Sequence, residues 1–169
     1  MEYSLFQTAI GTCGVVWGEQ GLRGVHLPDA NSMRTRAGLE RRFPDAVPAE
    51  PPSDVRAAID GIVALLRGDK RDLREIVLDF AGMPDFNRRV YELARTIGPG
   101  ATLTYGDIAM RLGSPGTARA VGQALGQNPW PIVVPCHRVL HSAGKGIGNY
   151  TGGVHRKEAL LRLEGVLLG

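Results

Sequence analysis

The chain has 169 residues, of which 43% are hydrophobic and 22% are charged, with a formal net charge of +3 at pH 7. These ordinary values exclude a disordered chain and fit one compact domain or two small ones. No apolar run approaches the roughly 20 residues of a membrane helix, and the N-terminus lacks a secretory pattern, so we expect a cytoplasmic protein with no membrane partner.

The charge is unevenly spread along the chain. Residues 1–84 carry 10 Lys and Arg against 12 Asp and Glu, whereas residues 85–169 carry 10 against 5. The basic half suggests an anionic partner such as nucleic acid, although a solvated basic surface explains the same balance.

The first half of the chain mixes strand and helix signals. Short apolar runs separated by glycine turns predict three antiparallel strands within residues 1–28. A helix is expected over residues 31–43 and a proline-rich loop over residues 44–52. Ser53 is expected to cap a second helix that ends at Gly68, and a further strand follows over residues 73–80.

From residue 85 onward the pattern becomes helical. Asp85 is expected to cap one helix, and further helices are expected over residues 105–112, 117–127 and 155–163. The middle two, joined by a glycine-containing turn, suggest a helix-turn-helix. The predicted fold class is therefore α/β (α+β): a small N-terminal three-stranded antiparallel sheet with helices, followed by a mostly helical C-terminal domain.

The second helix of that pair is unusual because it carries small residues, among them Ala118, Ala120 and Gly122, and one charge, Arg119. A helix that reads bases in the major groove typically has several long polar side chains. Small residues instead allow the close backbone approach that a narrow minor groove requires. They also suit tight packing inside a protein, and the helix alone favours neither explanation.

Cys136 lies in an apolar run, and a buried structural thiol is the plain interpretation. Its neighbours Pro135, His137 and Arg138 instead predict a strand end or a sharp turn, with the thiol beside a base. A thiol becomes a nucleophile when a neighbouring base removes its proton, and His137 can do so directly or through a water. Glu164 is the carboxylate that we expect to orient the imidazole.

Four motifs follow one another in this half, and with them the chain resembles the O6-alkylguanine-DNA alkyltransferases, the methylated-DNA–protein-cysteine methyltransferases. The resemblance runs over residues 86–165, with a weaker similarity in the N-terminal half. It implies a ribonuclease H-like α/β domain over residues 1–80 and a DNA-binding and active-site domain over residues 81–169. The motifs are Arg119-Ala120-Val121-Gly122, Asn128-Pro129, Pro135-Cys136-His137-Arg138-Val139 and Gly148-Asn149-Tyr150-Thr151-Gly152-Gly153.

The resemblance implies DNA repair by a suicide transferase. The protein would flip the damaged base out of the duplex, as chemistry on a stacked base requires. Cys136 would then take the alkyl group from O6-alkylguanine, with O4-alkylthymine as a second substrate to consider, in one irreversible transfer. The implied catalytic residues are Cys136, His137, Glu164, Asn128 and Tyr105.

The same resemblance assigns residues to DNA and to the base pocket, with Arg119 entering the base stack. The DNA-binding set is Thr104, Tyr105, Ala118, Arg119, Ala120, Gly122 and Gln123, and the pocket set is Trp130, Pro131, Val139, Tyr150, Thr151 and Gly152.

The implied partner is double-stranded DNA, bound through its minor groove by a monomer. No cofactor is expected, because the DNA itself donates the alkyl group. No metal is expected either, because Gly18 and Arg23 stand where zinc-binding relatives carry Cys and His.

Three alternatives stay open. The first is a lesion-binding relative without transfer activity, although such proteins lack the cysteine. The others are a helix-turn-helix regulator and a cysteine hydrolase, which would need an oxyanion hole that the sequence does not single out.

Overall fold

The computed structural model describes residues 1–141 and 146–168, and these fold into two compact units. The first unit contains Met1–Phe80 together with Pro129–Val133, and the second contains Ala81–Asn128 with the described residues from Val134 onward. The short segment Pro129–Val133 therefore lies outside the unit to which its neighbours in sequence belong. No helix among the described residues is long and apolar enough to cross a membrane.

The three predicted N-terminal strands are confirmed as an antiparallel meander. They are β1 (Glu2–Thr8), β2 (Gly11–Gly18) and β3 (Gly21–His26). Gly11 and Gly21, which follow the two turns, both have φ +126°, a conformation that side chains with a Cβ rarely adopt. Both faces of β2 are buried, and Val15, Val16 and Trp17 supply much of the core of this unit.

The sheet of the first unit departs from the sequence prediction at two places. The proline-rich loop contributes a fourth strand, β4 (Val47–Pro48), parallel to β1 at the sheet edge, where a missing N–H is tolerated. Residues 73–80 form no strand, only a single bridge from Leu78 to Leu22.

The two helices of the first unit lie close to their expected positions. They are α1 (Ser32–Arg42), capped by the Asn31 side chain, and α2 (Ser53–Leu66). The expectation that Ser53 caps α2 is wrong, because Ser53 is already helical and Pro52 occupies the cap position. The extended backbone of Pro52 starts the helix without a side-chain hydrogen bond.

The second unit is mostly helical, as predicted. Its first helix, α3 (Asp85–Ala94), begins at Asp85 after Pro84, so Asp85 does not cap it from outside. The predicted helix-turn-helix consists of α4 (Tyr105–Arg111), a turn that includes a short 3₁₀ helix (Pro115–Thr117), and α5 (Ala118–Gly126).

Three short elements and a last helix complete the second unit. A short 3₁₀ helix, Cys136–Arg138, leads into β6 (Val139–Leu140), which pairs in parallel with β5 (Leu103–Thr104). This pairing was not predicted, because two-residue strands leave no periodic signal. The last helix is α6 (Val154–Leu163).

Candidate active site

Cys136 opens the short 3₁₀ helix, which agrees with the predicted sharp turn. Its backbone N–H donates to the Val134 carbonyl at 2.7 Å. The side-chain amide of Asn128 donates to the Cys136 sulfur at 3.2 Å and to the Val134 carbonyl at 2.9 Å. Because Asn128 lies two residues after the end of α5, this one amide fixes the sulfur relative to the second helix of the helix-turn-helix.

His137 and Glu164 are in contact, as the family resemblance implied. Nε2 of His137 lies 3.1 Å from both carboxylate oxygens of Glu164. A carboxylate only accepts hydrogen bonds, so Nε2 carries the hydrogen and Nδ1 is the basic nitrogen. Nδ1 is buried and has no hydrogen-bond partner among the described residues. The imidazole is therefore held ready to accept a proton at Nδ1.

Arg138 turns this contact into a buried charge network. Its guanidinium donates to both oxygens of Glu164, at 2.8 Å and 2.7 Å, in the bidentate geometry that suits a carboxylate. A third donor reaches the Ile97 carbonyl at 2.6 Å. Burial alone would raise the pKa of Glu164, but hydrogen bonds from Arg138 and His137, and their charges, lower it to about 2. Glu164 is thus ionised across the physiological range.

Burial sets the protonation states of Cys136 and His137 before the reaction. It raises the pKa of the Cys136 thiol, an effect that the Asn128 hydrogen bond and the charge of Lys157 partly offset. Burial also lowers the pKa of His137, against the opposing effect of Glu164. A protonated thiol and a neutral imidazole are the starting pair that general-base activation requires.

Lys157 is a second buried cation near the cysteine, and sequence reasoning missed it. Its ammonium donates to the Val139 carbonyl at 2.6 Å and to the Asn149 carbonyl at 3.1 Å. Burial lowers the pKa of Lys157 to about 8, against the opposing effect of the negative charge of Cys136. The available signal was the helical spacing of positions 157, 160, 161 and 164, which places two ionisable residues on one apolar stripe.

A cavity of about 640 Å³ lies in front of the cysteine, entirely within the second unit. Its walls come from α5, from Tyr105 at the start of α4 and from residues 149–151. The predicted residues that it brings together are Cys136, Tyr105, Ala118, Arg119, Gly122, Gln123, Tyr150 and Thr151. Leu125, Gly126, His141 and Asn149 also line it and were not predicted.

Glycine is required at one point beside this cavity. Gly148 has φ +86°, and a Cβ there would lie 2.8 Å from the Tyr105 hydroxyl and 3.2 Å from the Lys157 ammonium. The loop can therefore pass between these two side chains only with glycine at this position.

Several predicted residues lie elsewhere. Trp130 and Pro131 belong to the first unit, where the Trp130 indole packs edge-on against Phe80. Val139 is fully buried in β6 instead of lining the cavity. The Thr104 hydroxyl caps α4 by accepting from the Asp107 N–H at 3.0 Å, so helix capping already uses it. Ala120 and Gly152 are not among the lining residues.

The described residues hold no group of three or more His, Cys, Asp or Glu side chains that could bind a metal ion. Neither cysteine forms a disulfide, and Cys13 is buried in β2 of the first unit.

A helix-turn-helix unit with a buried thiol beside a His–Glu pair defines a class: a DNA-binding protein with a nucleophilic cysteine. The family model described as "6-O-methylguanine DNA methyltransferase, DNA binding domain" matches residues 85–166. A methylated-DNA–protein-cysteine methyltransferase of Methanothermobacter thermautotrophicus is 39% identical, covering 92% of this chain and 80% of that protein. One from Mycolicibacterium paratuberculosis is 37% identical, covering 97% and 92%. The chain belongs to the methylated-DNA–protein-cysteine methyltransferase family.

Solved structures agree with this placement. The crystal structure of Mycobacterium tuberculosis OGT in complex with DNA matches with a TM-score of 0.75 and 33% identity, covering 97% of this chain and 92% of that one. The O6-methylguanine-DNA methyltransferase of Pyrococcus kodakaraensis matches with a TM-score of 0.70 and 29% identity, covering 98% and 99%.

Proposed function

We propose that the protein repairs DNA by moving the alkyl group of O6-alkylguanine onto Cys136 in one irreversible step. The observation that carries the proposal is the position of Cys136, with its sulfur at the wall of the cavity and the His137–Glu164 pair behind it. The family membership supplies the substrate class, and the site supplies the nucleophile and the base.

The cavity suits a base that has left the duplex. A stacked guanine keeps its O6 substituent within the helix, so an attacking sulfur reaches it only after flipping. The cavity is bordered by α5, whose Arg119 and Gln123 are exposed. We assign Arg119 to the gap in the base stack and the small residues of α5 to the minor groove, where close backbone approach is needed.

The chemistry is a displacement at the alkyl carbon. The Cys136 sulfur forms a bond to that carbon while the carbon–O6 bond breaks, and the electron pair of the broken bond stays on guanine. The thiol proton passes to His137 Nδ1, directly or through a water, and Glu164 stabilises the imidazolium. In the net reaction one proton leaves the thiol and guanine gains one, so no cofactor is required.

Tyr105 is suited to help the leaving guanine. Tyr105 lines the cavity. Burial raises the pKa of its hydroxyl, and the negative charge of Cys136 raises it further. The hydroxyl therefore stays protonated at neutral pH and can donate to the base as negative charge develops on it. Tyr150 and Thr151 border the same cavity and are assigned to the binding of the flipped base.

The product is a thioether at Cys136, which water does not cleave under cellular conditions. Each molecule therefore acts once, as a transferase in reaction type and a stoichiometric reagent in kinetics. A cytoplasmic location and activity on O4-alkylthymine belong to the same proposal.

Intact mass spectrometry after incubation with a duplex that contains one O6-methylguanine tests the function. We expect a gain of one methyl group, about 14 Da, in the wild-type protein. Cys136→Ala should show none. Cys13→Ala, which removes the other buried thiol, is the matched control and should gain the same mass as wild type.

Intact mass together with a measurement of DNA affinity separates the alternatives. A lesion-binding protein would bind the modified duplex and gain no mass. A helix-turn-helix regulator would bind one undamaged site, with an affinity that Cys136→Ala leaves unchanged. Mass gain at Cys13, or none at all, would overturn the proposal.

A further inference from the structure

We infer that Trp130 is a positioning residue for the methyl transfer: it anchors within the first unit the segment Pro129–Val133, whose two ends lead into the active site. The inference rests on the proposed function and adds a role for the first unit. The starting observation is the division of the chain into units. Pro129–Val133 belongs to the first unit, whereas Asn128 and Val134 on either side of it belong to the second.

Three hydrogen bonds within the first unit hold this segment. The buried indole N–H of Trp130 donates to the Leu22 carbonyl at 2.8 Å. The Val25 N–H donates to the Pro129 carbonyl at 2.9 Å, and the Arg42 guanidinium donates to the same carbonyl at 3.3 Å. The donors and acceptors come from β3 and α1, so the regular elements of the first unit fix the segment at its N-terminal end.

The backbone within the segment is strained. Ile132 has φ +78°, an outlier for a β-branched side chain, and it is buried. Residues in such conformations persist only where the surrounding structure holds them, and they gather at functional sites. The strained residue lies four positions before Cys136, inside the turn that the three hydrogen bonds anchor.

Both ends of the segment continue directly into the active site. Asn128, at one end, donates to the Cys136 sulfur, and Val134, at the other end, accepts from the Cys136 N–H. A shift of the anchored segment therefore moves the amide that orients the sulfur and the carbonyl that shapes its turn. Displacements on the scale of an ångström are sufficient to slow a reaction strongly.

Trp130→Phe tests the inference, because it removes the indole N–H and keeps an aromatic ring against Phe80. We expect the maximal rate of methyl transfer at saturating lesion duplex to fall about tenfold. The DNA concentration for half-maximal rate should stay within about twofold, because the cavity and α5 are unchanged. Rates are taken per active molecule, from the fraction methylated at completion, so a loss of folded protein does not contribute.

Tyr3→Phe is the matched control. Tyr3 is a buried aromatic residue of the same unit whose hydroxyl bonds to Glu40 and Arg36, outside the segment. It should leave both kinetic quantities within about twofold of wild type, whatever it does to stability. Arg42→Met removes a second hydrogen bond to the segment. It should lower the maximal rate by less than Trp130→Phe does and again leave the DNA concentration for half-maximal rate unchanged. If Trp130→Phe does not fold, Arg42→Met provides the test.

The outcomes are distinct. An unchanged maximal rate in Trp130→Phe, or an equal fall in Tyr3→Phe, overturns the positioning role while the proposed function stands. A fall in apparent DNA affinity alone overturns it as well. If the wild-type protein gains no methyl group, the proposed function itself fails.

Discussion

The two units bury different kinds of polar residue, although each has an apolar core. Among the described residues of the first unit, the buried polar side chains are the neutral Thr12 and Thr35. Besides the Cys136 thiol and the Tyr91 phenol, the second unit buries four acidic or basic side chains and one amide, in surroundings where charges are expensive to keep unless they are paired. Buried charges with shifted pKa values mark functional sites. The second-unit residues are Asn128, His137, Arg138, Lys157 and Glu164.

The largest effect that this comparison predicts comes from Glu164→Gln. The change leaves the buried Arg138 cation without its counter-charge, so we expect a loss of about 3 kcal/mol in the free energy of unfolding at pH 7. It also removes the charge that stabilises the imidazolium of His137, and the transfer rate should fall about 100-fold. Denaturant unfolding and single-turnover kinetics measure the two losses.

The pH dependence of the same variant follows from the lowered pKa. Glu164 has a pKa of about 2 in the folded protein against an ordinary value of 4.5. The folded state therefore binds fewer protons than the unfolded state between these values, and stability from this group is complete above pH 4.5 and lost as pH falls toward 2. The difference in the free energy of unfolding between wild type and Glu164→Gln should therefore shrink as the pH falls from 4.5 toward 2.

Glu158→Gln provides the control on the same helix. Glu158 forms an ion pair with Arg162 that is largely exposed. Exposed pairs contribute little, so the change should cost less than about 1 kcal/mol and leave the transfer rate unchanged. If the difference in the free energy of unfolding between wild type and Glu164→Gln is equally large at pH 3 and pH 7, the assigned ionisation of Glu164 is wrong.

Lys157→Met should have the next largest effect, on the reactivity of the thiol. The Lys157 charge lowers the pKa of Cys136, so its removal should slow alkylation of Cys136 by iodoacetamide about tenfold at pH 7. Because the pKa of Lys157 is itself about 8, the charge is lost in wild type at higher pH. The two proteins should therefore react at similar rates above about pH 9.

Lys70→Met in the first unit is the control, since Lys70 is exposed and should leave the reactivity of Cys136 unchanged. A ratio of wild-type to Lys157→Met rates that stays constant from pH 7 to pH 10 would mean that Lys157 acts through its hydrogen bonds to the loop and not through its charge.

The sequence predicted local features more fully than long-range ones. The three N-terminal strands and the helix-turn-helix follow from turn glycines and apolar periodicity, which act over a few residues. The expected strand over residues 73–80 failed because an apolar run does not by itself specify a strand partner, and here the segment forms a single bridge, from Leu78 to Leu22. The helix caps failed by one position, because Pro52 and Pro84 took the places assigned to Ser53 and Asp85.

The active site divides in the same way. The contact between His137 and Glu164 was expected, whereas the bidentate pair of Glu164 with Arg138 and the burial of Lys157 were not. Their environment depends on how α6 packs, which no local pattern specifies. Trp130 was assigned to the base pocket from its place in the chain, but the fold turns that segment into the first unit.

The smallest expected effect concerns the first unit, where we change the buried neutral residue Thr35. Its hydroxyl accepts from the Asp29 N–H at 2.9 Å and donates to the Asn31 carbonyl at 3.1 Å. Thr35→Val keeps the shape and leaves the Asp29 N–H without this acceptor, so the free energy of unfolding should fall by about 1 kcal/mol. No charge is involved, so the loss should be the same at pH 5 and pH 8, as denaturant unfolding can measure.

The transfer rate of Thr35→Val per active molecule should equal that of wild type, because the hydrogen bonds of the Thr35 hydroxyl reach only Asp29 and Asn31 and lie outside the anchored segment. A fall in that rate would mean that the first unit affects the cysteine through its general rigidity. An unchanged rate, together with a loss in Trp130→Phe, would confine the influence of the first unit to the few hydrogen bonds that hold Pro129–Val133.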